Sequence, residues 1–135
     1  MRMLAKVTLV AGLCAISSPA LAQDGGSFQV SVQVPEYCEI NAPQILTADG
    51  DGVVSGSVFE SCNTQEGFQV VASHRPLEGN EWVAFNYAGA VRYLKPSGWS
   101  EVANRSGANY GERPVSVSYT SLTSPLAISL TVTVF

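Results

Sequence analysis

The strongest constraint on this chain is a hydrophobic period of two. Over residues 28–34 apolar and polar side chains alternate without a break, Phe28, Val30, Val32 and Val34 against Gln29, Ser31 and Gln33, until Pro35 stops the ladder. The other end repeats the pattern, with Ile128, Leu130, Val132 and Val134 separated by Ser129, Thr131 and Thr133 and followed by Phe135. Alternation at this period lines one face of an extended strand with apolar side chains, and no window carries a convincing helical stripe. Further strands are predicted over residues 37–41, 53–62, 68–73, 82–87, 91–95 and 115–119. Turns are predicted at 49–52, 63–67, 88–90, 96–98 and 120–125, where Gly, Asn, Asp, Ser and Pro cluster. Residues 99–112, with Asn104, Ser106, Gly107, Asn109 and Gly111, show no periodicity and read as a surface loop. About eight short strands at this spacing predict an all-β sandwich.

The first 22 residues read as a cleaved signal peptide. Arg2 and Lys6 supply a positive start, residues 7–16 an apolar run too short to span a bilayer, and Ala20-Leu21-Ala22 the small residues of a cleavage site. Cys14 leaves with that segment. Cys38 and Cys62 remain, and an even pair in an exported chain reads as one disulfide. Closing a loop of about 25 residues is worth roughly 3.5 kcal/mol in the chain-entropy model. Loss of Arg2 and Lys6 takes the net charge from −4 to −6. An acidic chain with few cations argues against a nucleic-acid partner, and nothing after the signal is apolar enough to insert in a membrane as a helix.

The two alternating ends have a functional reading. Sandwiches protect terminal edge strands with a charge, a Pro or a bulge that blocks pairing with another molecule. Residues 27–34 and 126–135 contain no charged side chain. Both ends are suited to pairing.

These segments resemble the pilin subunits of the chaperone-usher pathway, in particular the archaic type that includes spore coat U-like domains. The resemblance rests on the alternating segment followed by a cysteine (residues 28–40, through Cys38), a second cysteine strand (Phe59-Glu60-Ser61-Cys62, then Gly67-Phe68-Gln69-Val70), and the aromatic-ended C-terminal strand, residues 129–135. Where such domains often carry Phe-Gly after the first cysteine, this chain has Leu46-Thr47-Ala48-Asp49-Gly50, and residues 74–113 match no motif of the family. The resemblance implies an immunoglobulin-like sandwich lacking one strand, built from residues 35–135 and completed by donor-strand exchange. Residues 23–34 are then the donor segment, with Phe28, Val30, Val32 and Val34 as its plugs. Ile128, Leu130, Val132, Val134 and Phe135 form the groove and the strand that a chaperone contacts. The implied partners are identical or related pilin subunits, a periplasmic chaperone and an outer-membrane usher, and the implied destination is a fibre at the cell surface, reached through the periplasm. Four buried plugs at roughly 1.5–3 kcal/mol each contribute about 6–12 kcal/mol before ordering costs.

The competing reading is a self-contained secreted sandwich in which residues 28–34 close their own sheet and the surface binds a carbohydrate or a protein. Trp82 and Trp99 are its aromatic candidates; Trp82, in an apolar strand, is expected in the core and Trp99 on the surface. Residues 49–60 mimic a calcium loop in having Asp49, Asp51 and Glu60, but Val53 and Val54 stand where a ligand and the essential Gly belong. His74, the single histidine, reads as a solvated loop residue, and Asn104-Arg105-Ser106 as an uninformative sequon. With both retained cysteines in a bridge and no serine elbow or carboxylate pair, neither an enzyme nor a cofactor or metal site is expected.

Overall fold

Alternating β-branched and aromatic residues give nine strands within residues 26–135, the part of the chain that the computed structural model describes. They are β1 (Cys38–Asn41), β2 (Ile45–Leu46), β3 (Gly50–Cys62), β4 (Phe68–Ser73), β5 (Trp82–Tyr87), β6 (Ala90–Tyr93), β7 (Trp99–Arg105), β8 (Asn109–Leu122) and β9 (Ala127–Val134). The signal peptide read at residues 1–22, with Cys14, and residues 23–25 of the donor segment lie outside the described residues. No helix occurs among the described residues.

The chain falls into two units, one ending at Gln33 and one spanning Val34–Phe135, and all nine strands belong to the second. In the first, residues 26–33 carry no strand, and Phe28, Val30 and Val32 are exposed. The alternating segment is therefore not a strand here, because a strand exists only where a second backbone takes up its hydrogen bonds.

The second unit is a β-sandwich of two antiparallel sheets, ordered β1-β3-β8-β5-β6 and β2-β9-β4-β7. Their inner faces follow from the period of two. Val58, Val83, Phe85, Tyr87, Val115 and Val117 point inward from the first sheet, and Phe68, Val70, Ala72, Val102 and Ile128 from the second, all buried in one core. Cys38 and Cys62 stand directly opposite each other and are bonded, which fastens the four-residue β1 to β3. Between β5 and β6, Ala88 and Gly89 both take positive φ (49° and 92°), the left-handed pair that closes a two-residue hairpin with the right twist.

Three expectations change and one unforeseen strand appears. Residues 99–112 are not a loop but β7 and the start of β8, joined across residues 106–108. In β7 the register with β4 shifts between Val70 and Val71, so Val102 and Ala103 are buried in succession and the alternation is broken by a bulge. In β8 the inward positions Asn109 and Gly111 lie opposite Cys62 and Glu60, where polar and small residues replace apolar ones. The cluster at 49–52 is the irregular opening of β3, with a register shift between Gly50 and Gly52, rather than a separate turn. Residues 45–46 form a strand too short to carry any period. Trp82 is exposed rather than in the core, because Val83, Phe85 and Tyr87 take the inward positions of β5.

Two buried carboxylates hold opposite ends of β5 and β8. Glu60 accepts from the Tyr87 hydroxyl (2.7 Å), Arg113 Nε (2.9 Å) and Arg105 Nη2 (3.2 Å), the last from β7 across the sandwich. Burial, and then the bond to Glu60, push the Tyr87 phenol above its ordinary range. At the other end Glu81 accepts from both terminal nitrogens of Arg75 (2.7 Å each), from Thr123 N and Oγ1, and from Glu78 N (2.8 Å each).

Candidate functional site

A sandwich has two lateral margins where the edge strands of its sheets come together, and here they are finished differently. At one, β6 and β7 are adjacent. His74 N donates to Gly98 O (2.9 Å), Leu77 N to Pro96 O (3.0 Å) and Lys95 N to Ser100 Oγ (2.6 Å), so the connections knit this margin shut. Gly98 is required there: its φ is 88°, and a Cβ would meet His74 O at 2.6 Å.

At the other margin β1 and β9 are adjacent, and the cover is partial. β4 runs along one side of β9 from Ser129 to Val134. On the outer side β2 pairs only Ile45 with Ile128 and Leu46 with Ala127, supported by Thr47 N donating to Leu126 O (2.9 Å) and Gln44 Nε2 to Ser129 Oγ (3.3 Å). Beyond Ile128 the outer edge of β9 has no strand beside it among the described residues.

The consequence is a gradient of burial along one face. Ile128, under β2, is 0% exposed; Leu130 and Val132 are half-buried; Val134 is 41% exposed and Phe135 more so. Across the margin, Cys38, Ile40 and Ala42 are likewise half-buried against the same core. Apolar side chains from two sheets are thus only partly covered along this margin. Residues 126–135 bring no charged side chain to this margin, and the outer edge of β9 leaves backbone groups there without a strand partner among the described residues.

Asn63 fixes the lip of this margin. Its Oδ1 accepts from Tyr37 N (2.5 Å), its Nδ2 donates to Pro35 O (2.9 Å), and its own N–H donates to Tyr37 O (2.9 Å). These bonds hold the backbone of residues 35–37 where the chain enters β1, and the Tyr37 hydroxyl also donates to Glu39. Sequence reasoning assigned Asn63 to a turn and missed this, although an Asn just after a bridging cysteine is a residue type that binds neighbouring backbone.

The remaining candidates lie apart from this margin. Asp51 Oδ1 accepts from Ser121 N (2.6 Å), while Glu60 is held by Tyr87 and two arginines, so the calcium-like spacing does not converge. His74 is half-buried, not solvated; its Nδ1 lies 2.6 Å from Arg75 O, and burial lowers its pKa. Trp99 is exposed with Lys95 Nζ 5.9 Å from its ring centre, and Asn104 is exposed in β7. Comparison with protein-family models, with curated proteins and with solved structures finds no match.

Proposed function

We propose that this chain is the structural subunit of a chaperone-usher-type surface fibre. In this reading the sandwich is immunoglobulin-like and one strand short, and residues 28–34 of one copy lie along the outer edge of β9 in the next. The observation that carries it is the pairing of two deficits. β9 has six residues, Ser129 to Val134, with an uncovered edge and rising exposure, followed by the exposed Phe135, and the chain has a seven-residue alternating segment whose apolar side chains, Phe28 to Val34, are 69–87% exposed. At about 3.3 Å per residue both span about 20 Å. Four plugs laid beside Leu130, Val132 and Val134 remove apolar surface from water on both partners, and a new ladder takes up the backbone groups of β9. Unassembled, the same edge is a hazard, which gives a periplasmic chaperone its task of lending a strand and an usher its task of exchanging it.

Deleting residues 23–34 tests this. The truncated chain keeps its acceptor edge and loses its donor, so fibres are expected to vanish while a soluble complex with the cognate chaperone persists. Fibres formed by the truncated chain, or a full-length chain that purifies as a stable monomer with no partner, would overturn the reading.

A further inference from the structure

At the closed margin, Trp82 and Tyr93 stand on the outward face of the β5–β6 hairpin, 63% and 65% exposed. Their ring centres are 5.6 Å apart and their planes cross at 80°, so they form a corner rather than a flat platform. The corner opens on a cavity of about 430 Å³, within the range of small-ligand sites, floored by Leu77, Leu94 and Pro96. The charged residues lining it are both acids, Glu78 and Glu81. Glu81 is engaged with Arg75, Thr123 and the Glu78 amide, whereas Glu78 is exposed and in no ion pair among the described residues.

We propose that this corner is a binding site for an organic cation with an apolar shell, the chemistry of a quaternary ammonium group. Aromatic faces attract a cation through the ring quadrupole, and both rings of this edge-to-face pair border the cavity. Glu78 supplies the opposite charge. A methylated cation asks for few hydrogen bonds, matching a lining with few polar side chains, whereas a sugar would need donors and acceptors around its whole rim. The same margin already shows this chemistry once, in Lys95 over Trp99. The walls are set in advance by Leu77 N on Pro96 O and by the clasp of Arg75 on Glu81, so little ordering is left to binding. β6 is the edge of its sheet opposite β1, so the site stays open when the β9 edge is covered, and the inference stands independently of the proposed assembly.

The test uses the protein purified free of other chains, as fibre or as monomer, and carrying Trp99→Phe, so that Trp82 is the remaining one of its two tryptophans. Choline should produce a saturable fluorescence change, and its uncharged isostere 3,3-dimethylbutanol should bind about tenfold more weakly. Glu78→Gln, which leaves the Glu78 amide on Glu81, should weaken choline about threefold or more. Trp82→Leu, checked for an unchanged circular dichroism spectrum, should abolish the binding heat in calorimetry. Equal binding of choline and the isostere, tighter binding of a neutral methyl pyranoside, or no saturable change with choline would each overturn the proposal; if Trp82→Leu misfolds, Glu78→Gln carries the decision.

Discussion

The two margins of the sandwich cover the same core and end their sheets in opposite ways. The β6–β7 margin uses three of the protections that an edge can carry: β6 is short, with Arg92 among its four residues, β7 bears Glu101 and Arg105, and a bulge at Val102 breaks its ladder. The β1–β9 margin uses none of these along β9, whose outer edge runs uncharged and regular past the point where β2 stops. Edge protection in this molecule is therefore selective. The unprotected stretch coincides with the fall in burial from Ile128 to Val134, which is where a further strand would be stabilised most.

The largest effect should come from spoiling the proposed donor. Val32→Asp places a charge where the assembled margin would be dry, at a cost of several kcal/mol. Fibre formation should be lost, while the chaperone-bound subunit keeps its thermal midpoint because residue 32 lies outside every strand. Wild-type fibre yield from Val32→Asp would remove Val32 from the list of plugs.

Next in size is the bridge that holds one lip of the open margin. Cys38 and Cys62 attach β1 to β3, and without them a four-residue strand keeps its place only through the bonds of its ladder and of Asn63. Cys38→Ser should lower unfolding free energy by about 3.5 kcal/mol and reduce periplasmic yield. An unchanged urea midpoint would show that β1 is held by something other than the bridge.

How far each margin could be read from the sequence has the same physical basis as these effects. β9 was legible because its inward residues are apolar and its outward residues polar from Ile128 to Thr133, and β3, β4 and β5 were legible as runs of β-branched and aromatic residues between turn clusters. β7 was not, since the bulge puts Val102 and Ala103 inward in succession, and the start of β8 was not, since Asn109, Gly111 and Arg113 face the buried Glu60. The open edge was visible as an absence of charge in residues 126–135. Its extent was not, because a two-residue strand such as β2 leaves no periodic trace and only pairing shows where its cover ends. The Trp82–Tyr93 corner was hidden for a related reason: an apolar run such as Trp82-Val83-Ala84-Phe85 does not say which of its two faces is inside.

Acid offers a smaller, selective probe of the closed margin. The guanidinium of Arg75 holds the Glu81 carboxyl well below the usual carboxylate range, against burial and with help from the amides of Glu78 and Thr123. A depressed folded-state pKa contributes stability that is fully present above the unfolded carboxylate value and is lost as pH falls from there toward the folded one. Each such group adds at most about 1.4 kcal/mol per pH unit to that slope. Urea unfolding of the chaperone-bound or fibre form from pH 7 downward should steepen below about pH 4.5, where an unperturbed carboxyl begins to protonate. In Glu81→Gln the acid limb should be flatter by one group's contribution. Identical acid limbs in the two proteins would mean that Glu81 does not brace this margin.

The smallest effect is expected from the change that most directly opposes the two edges. Val91→Asp places in β6 the same charge that Val32→Asp places in the donor, at a side chain already 56% exposed on a strand that ends its sheet. Stability should move by no more than about 0.5 kcal/mol, and fibre yield should be unchanged. If Val91→Asp instead stops assembly as completely as Val32→Asp, subunits meet through the β6–β7 margin too, and its charges and bulge select a partner rather than exclude one. If neither substitution affects assembly, the uncovered stretch of β9 is not where subunits join, and the asymmetry between the margins belongs to the fold alone.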